Sequence, residues 1–236
     1  MPDGPIELAF ARGALRRCAL FARVDDVTLD SVCASLKARR YRRNETIFHQ
    51  GDPGDALYIV ESGSVKVVLP SPEGEDSAII ATLDRGSFFG ELALLDGADH
   101  SATAIAVEPT QTLVLRREPF EQLVEDDPAL RKALIAGLVG ELRRLTTHVG
   151  DLHFLDLPGR LASRIVAIAR EADATRTLDL VLEWPYTQSD LAGMIGGTRQ
   201  TVNRLLQDLV ARGLIRVERE QLIIPDLEAL ARSADR

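Results

Sequence analysis

The stretch TQSDLAGMIGGTRQTVNRLLQDLVARGLI, Thr187–Ile215, decides how the C-terminal third of the chain folds. Thr187 stands where an N-cap side chain accepts backbone N–H groups. Asp190 holds the reciprocal position, as an aspartate variant of the capping box. A short helix therefore starts at this point, and Gly196-Gly197 ends it. Thr198 caps a second helix, on which Val202, Leu205, Leu206, Leu209 and Val210 recur at the spacing of one buried face. Two helices joined by a tight glycine-containing turn make a helix-turn-helix.

The opposite face of the second helix carries Arg199, Gln200, Asn203 and Arg204 near its N-terminus, where a recognition helix presents side chains to the major groove. Arginine can donate two hydrogen bonds to guanine O6 and N7, and glutamine can bond adenine N6 and N7, so this set can discriminate bases. Thr198 and Thr201, with Gln188 and Ser189 on the preceding helix, are placed for phosphate contacts that fix register without reading sequence. A single exposed arginine would equally suit an ordinary solvated helix face. It is the combination with the capped helix and the Gly-Gly turn that points to double-stranded DNA. Leu214–Val217 and Gln221–Ile224 flank the polar turn Glu218-Arg219-Glu220 and read as a β-hairpin, the wing of a winged helix.

Working back toward the N-terminus, Leu157-Pro158-Gly159 reads as a helix break, followed by a fresh helix over Arg160–Arg170 with Leu161, Ile165 and Ile168 on one face. Before the break, Pro128–His153 is a long helix whose apolar positions are Ile135, Leu138, Leu142, Leu145, Val149 and Leu152, spaced 3, 4, 3, 4 and 3 apart. That is a heptad seam beside Arg131, Lys132, Arg143 and Arg144, and it suits one strand of a two-helix coiled coil in a homodimer through residues 135–152. A helix packed on its own β-domain is the alternative. His148 and His153 on this segment read as surface or packing histidines.

Residues from about Arg40 to Leu115, after a helical lead over Asp26–Ala38, read as strands. Thr46–Phe48, Ala56–Val60, Ser64–Leu69, Ser77–Leu83 and Ala102–Val107 are short runs rich in β-branched residues. Turn residues at Gly51–Asp55, Glu61–Gly63, Pro72–Gly74 and Asp84–Gly86 separate them. Such spacing suggests an antiparallel barrel or sandwich. The expected architecture is α+β: a β sensor domain over 1–127, a dimerisation helix and hinge over 128–157, and a winged helix-turn-helix over 158–236.

With 45% hydrophobic and 27% charged residues, the chain can bury a core and is not globally disordered. Its longest nearly unbroken apolar run, Ala133–Gly140, falls far short of the roughly 20 residues a membrane-spanning helix needs. The opening residues MPDGPIELAF carry acids where a secretion signal carries bases, so a cytoplasmic protein is expected. Cys18 and Cys33 are then expected to stay reduced, and they are too few for an iron–sulfur cluster. Neither a CxxC nor an HExxH spacing occurs, and no metal is expected. The net charge of −8 sits wholly in residues 1–157, with 17 basic against 25 acidic residues, while 158–236 balance at 11 against 11. The balanced part leaves room for a local basic face. No paired acid and base or activated nucleophile emerges, so an enzyme is not expected.

The order of β-domain, long helix and winged helix-turn-helix resembles the CRP/FNR family, the catabolite-activator-like bacterial transcription regulators. FHQGDPGDALYIVESGSVKV (Phe48–Val67), FFGELALL (Phe88–Leu95), FLDLPGRLA (Phe154–Ala162) and the Thr187–Ile215 stretch carry the resemblance, which covers nearly the whole chain. It implies that the β-domain is a cyclic-nucleotide-binding jelly roll, that ligand binding reorients the winged helices about the hinge, and that a dimer reads a near-palindromic operator. RNA polymerase is a further candidate partner. Arg199 and Arg204 match the family's base-reading arginines, whereas Gln200 replaces a glutamate that accepts from cytosine N4, so an altered half-site is expected.

By the same resemblance Gly90, Glu91, Leu92 and Ala93 match the turn that binds the cyclic phosphate and the ribose 2′-hydroxyl, and Ser101 matches a phosphate-contacting serine. His100 replaces an arginine that forks onto the phosphate. Leu145 and Thr146 stand where cyclic AMP sensors place two polar residues against the purine, leaving Thr146, with Thr147 beside it, for that role. Histidine is single-pronged and only partly charged near neutrality. Both departures, His100 and Leu145, point away from tight cyclic AMP binding and leave the effector open. Weak cyclic AMP binding, cyclic GMP, a cyclic dinucleotide and no ligand at all remain the choices. A different class of reading is a nucleotide-binding signalling module whose winged helix mainly contacts protein.

Overall fold

A computed structural model describes residues 8–70, 77–173, 175–219 and 221–234. The backbone divides into two compact units, the first ending at Arg143 and the second running from Arg144 onward, with Ser77 and Ala78 grouped with the second.

In the first unit, helices α1 (Leu8–Arg17) and α2 (Asp26–Ser35) precede the strands. These are β1 (Lys37–Tyr41), β2 (Thr46–Phe48), β3 (Ala56–Ser62), β4 (Val65–Pro70), β5 (Ser77–Leu83) and β6 (Phe88–Phe89). A short α3 (Glu91–Asp96) is followed by β7 (Thr103–Ala106), β8 (Thr110–Arg116), α4 (Arg117–Asp126) and the long α5 (Pro128–Phe154). The strands form two sheets in the orders β1-β8-β3-β6 and β2-β7-β4-β5. Because sequence neighbours rarely pair, this is the crossed topology of a jelly roll rather than a meander. In register, Leu57 faces Leu115 and Ile59 faces Leu113 across β3 and β8, while Val67 faces Ala104 across β4 and β7.

Two clusters fill this unit. Val60, Val65, Ala81, Leu83, Phe89 and Ala104 pack with Phe48 and Tyr58 around the strands. Leu57, Ile59, Leu113 and Leu115 turn their side chains toward Leu15, Phe21, Leu29, Phe120, Leu130 and Leu134, so α1, α2, α4 and the start of α5 cover one sheet. Glu61 is buried at the end of β3, and Arg17 and Arg85 pair with it at 2.8 and 3.2 Å, as a buried carboxylate requires.

The sequence expectation of one helix over Asp26–Ala38 is corrected: α2 ends at Ser35, and Ala38 already belongs to β1. The expected turn at Glu61–Gly63 also moves, since β3 continues through Ser62. The expected turn at Pro72–Gly74 lies outside the described residues, as does Glu220 of the expected wing turn. Cys18 and Cys33 are free thiols, both buried, and burial pushes Cys18 up to about 11.

In the second unit, the end of α5 is followed by α6 (Leu157–Ala172), β9 (Leu178–Glu183), α7 (Gln188–Ile195) and α8 (Arg199–Ala211). The chain closes with β10 (Arg216–Glu218), β11 (Gln221–Asp226) and α9 (Leu227–Ala234). The three strands form an antiparallel sheet in the order β10-β11-β9, so the expected hairpin is present and gains a third strand. Leu157-Pro158-Gly159 is not the helix break. The break precedes Leu157, Asp156 caps α6 by accepting from the Gly159 N–H at 2.9 Å, and Pro158 sits in the first turn. A proline there forfeits no intrahelical bond.

Along α5, Leu130 and Leu134 are buried, while Ile135, Leu142, Val149 and Leu152 of the heptad seam are exposed. None of the described helices is long and apolar enough to cross a membrane.

Candidate nucleic-acid interface and nucleotide cradle

The helix-turn-helix is built by its caps. Thr187 accepts from the Asp190 N–H at 3.1 Å, and the Asp190 carboxylate accepts from the Thr187 N–H at 2.9 Å, closing the expected capping box. Gly196 ends α7 in the left-handed region at φ 70°, and its N–H bonds to Ala192 O. Thr198 caps α8 by accepting from the Thr201 N–H at 3.2 Å. Val202, Leu205 and Leu209 bury the inner face of α8, but Val210 is 44% exposed and is corrected out of that face.

This inner packing turns Arg199, Gln200, Asn203 and Arg204 outward, and all four are exposed. Gln188, Thr198, Arg199, Gln200 and Asn203 line one concavity. Ser189 and Arg204 are exposed outside that lining, and Thr201 is half-buried with its hydroxyl 3.0 Å from that of Thr198. The first turn of α8 holds no acid, so its amide groups and Arg199 present one sign of charge.

Sequence reasoning missed Arg160. Its guanidinium donates to Leu155 O at 2.9 Å, Leu152 O at 2.5 Å and Ile195 O at 3.3 Å, tying the end of α5 to the end of α7. Its partners are backbone carbonyls, which leave no mark in a sequence.

In the first unit, Gly90 turns the chain between β6 and α3 at φ 84°, where a side-chain Cβ would lie 2.9 Å from Ala56 O. Only glycine fits there without strain. Glu91 is buried, and burial holds its carboxyl above the usual carboxylate range, with Glu141 adding to the effect. Ala93 is buried, and Leu92 is exposed. Gly54 approaches this turn so closely that an added Cβ would meet the Ala93 methyl at 2.1 Å and His100 Cε1 at 3.3 Å. Arg117, also missed from sequence, donates to Gly54 O at 2.7 Å, Ala93 O at 3.0 Å and Leu94 O at 3.1 Å, fastening the two loops together.

His100 is 6% exposed, so it is a buried histidine and not one on a surface turn. Its ring stacks on Phe48 with centroids 3.6 Å apart and planes 5° from parallel, beside the Phe48, Tyr58 and Phe89 rings. The backbone of His100 exchanges bonds with the opposing loop, donating to Asp52 O and accepting from Gly51 N, each at 2.9 Å. Burial holds its imidazole below the ordinary histidine range, partly offset by Asp52, Asp55 and Asp99. Ala93 and His100 thus meet at Gly54, Gly90 and Glu91 precede Ala93 on the same turn, Ser101 follows His100 and is exposed, and Thr146 is exposed on the stretch of α5 that belongs to the second unit.

Comparison with known proteins agrees with both halves. Residues 38–127 match the cyclic nucleotide-binding domain family, and residues 159–233 match the Crp-like helix-turn-helix domain family. The CRP-like cAMP-activated global transcriptional regulator of Mycobacterium tuberculosis is 30% identical over 220 residues, covering 93% of this chain and 98% of that protein. The cAMP-activated global transcriptional regulator CRP of Escherichia coli is 29% identical, covering 84% and 94%. The solved structure of FixK2 from Bradyrhizobium japonicum shares the fold with a TM-score of 0.75 at 24% identity, covering 84% and 96%. Fold and relatives define a DNA-binding transcription regulator built from a nucleotide-binding β-domain and a helix-turn-helix. The chain belongs to the CRP/FNR family.

Proposed function

We propose that this protein is a homodimeric, sequence-specific transcription regulator that reads a near-palindromic operator with α8 and holds cyclic AMP only weakly. The observation that carries the reading is the concavity where Arg199, Gln200 and Asn203 converge with Gln188 and Thr198 at the capped start of α8. Arg199 and Arg204 supply base contacts, Thr198, Thr201 and Ser189 supply phosphate contacts, and with Val202 buried inward the groove-facing side is polar. The exposed apolar residues Ile135, Leu142, Val149 and Leu152 form a stripe that a second copy of α5 would cover. On this reading residues 1–127 sense, 128–157 dimerise and 158–236 bind DNA, in the cytoplasm and without catalysis, and RNA polymerase is a candidate partner.

The relatives are named as cAMP-activated. This chain keeps Gly90, Glu91, Ala93 and Ser101 for that nucleotide, but His100 is stacked on Phe48 and disfavoured as a cation by burial. A purely protein-contacting winged helix finds no support in a face made of base-reading side chains.

Fluorescence anisotropy of the purified protein on a two-fold symmetric duplex and on a scrambled one, across a salt series, tests the reading. Preference for the symmetric duplex and a steep loss of affinity with salt are expected. Equal, salt-insensitive binding to both duplexes would overturn it.

A further inference from the structure

Gln188 opens α7 and Asn203 lies in the second turn of α8, yet their side chains meet across the helix-turn-helix: Gln188 Nε2 donates to Asn203 Oδ1 at 3.1 Å. Both belong to the concavity that also holds Arg199 and Gln200. A side-chain amide has an acceptor end and a donor end, and which end faces a partner is set by the bonds the other end makes. Here the acceptor end of Asn203 is held toward α7, so the NH2 group is the end left for a base. A bidentate contact with adenine needs both ends on one base edge. Holding the oxygen toward Gln188 turns the acceptor half of that contact away from the base edge.

We propose that Gln188 is a positioning residue that sets the hydrogen-bond polarity of Asn203, so that Asn203 donates to a base offering acceptors in the major groove, guanine O6 and N7 or thymine O4. The proposal rests on the reading of α8 as the recognition helix. It gives Gln188 a part in sequence choice, where the sequence alone suggested a phosphate contact.

The test is selection of bound duplexes from a pool with a randomised half-site, using the full-length wild type, Gln188→Glu and Gln188→Leu. An ionised glutamate only accepts, so it must take the Asn203 N–H and turn Oδ1 outward. One half-site position should then change its preference from guanine or thymine to adenine or cytosine, by about tenfold. Leucine removes the contact, and preference at that same position should relax while the other positions keep theirs. If both variants select the wild-type base with wild-type stringency, the proposal fails while the wild-type enrichment leaves DNA reading intact. If wild type enriches nothing, the recognition-helix reading fails and takes the proposal with it. Equal weakening at every position in Gln188→Leu, with a lowered thermal midpoint, would show a merely structural role and also overturn it.

Discussion

On the proposed function, His100 stands where a phosphate-gripping site would hold a permanent cation. An arginine there would be charged at every relevant pH and could fork onto an anion, whereas the buried imidazole lies flat on Phe48. His100→Arg should therefore tighten cyclic AMP binding by about tenfold to a hundredfold, the equivalent of one charge-assisted hydrogen bond of roughly 1.5 to 3 kcal/mol. Isothermal titration calorimetry on both proteins measures this, and unchanged affinity would show that the ion pair is not what the site lacks. The same burial links His100 to stability. Its folded value is depressed, so the unfolded chain takes up the proton first as pH falls below about 6.5. Stability that is full above that value is lost as pH falls through the folded one. His148 shifts the same way, by burial and then by Arg164, so His100→Gln should reduce the acid loss without abolishing it. Glu91 has the opposite sign: its raised value favours the fold at low pH and loses that contribution as pH rises through it. Urea midpoints at pH 7.5 and 5.5 should differ more for wild type than for His100→Gln; equal differences would remove His100 from the acid response.

Among the elements, α7 depends on its cap. The Thr187 hydroxyl and the Asp190 carboxylate satisfy donors at the start of a helix of 8 residues that has little length to stabilise itself. Thr187→Ala should cost about 1 kcal/mol in urea unfolding; no loss would mean that packing of Leu191 and Ile195 alone holds the helix. On α5, Leu142 is 64% exposed in the middle of the heptad stripe. If α5 forms the proposed homodimer seam, wild type should sediment as a dimer and Leu142→Glu as a monomer; a dimer that persists in Leu142→Glu would move the interface elsewhere. These two elements were legible because their signals are local: caps and glycines three or four residues apart, and a repeat along one helix. The missed elements had no such signal. β1 is KARRY, charged and largely exposed, and reads as neither a buried strand nor an amphipathic helix. α1 packs through Ala11, Ala14 and Leu15, too small a stripe to stand out, and it is held by an arginine reaching Glu61 far along the chain. Pro158 suggested a break two residues too late, because proline fits the first turn of a helix as well as it fits a loop. In the candidate site, residue types were readable but their engagements were not. The Gln188–Asn203 bond, the carbonyls gripped by Arg117 and Arg160, and the Phe48–His100 stack all join positions that only the fold brings together.

For the whole molecule, a ligand shifts an equilibrium between conformations only by the difference in its affinity for them. If His100 supplies no phosphate ion pair, as proposed, less free energy is available to move the protein between DNA-competent and incompetent states. On the proposed function this CRP/FNR chain is a DNA reader first and a nucleotide-gated switch at most weakly. The most direct measurement is an anisotropy titration of the purified wild type onto a labelled symmetric duplex, with and without saturating cyclic AMP. Specific binding in both conditions is expected, with affinities that differ by less than about tenfold. A larger rise on adding the nucleotide, a coupling above about 1.4 kcal/mol, would contradict the account by showing that the cradle still controls the recognition helices.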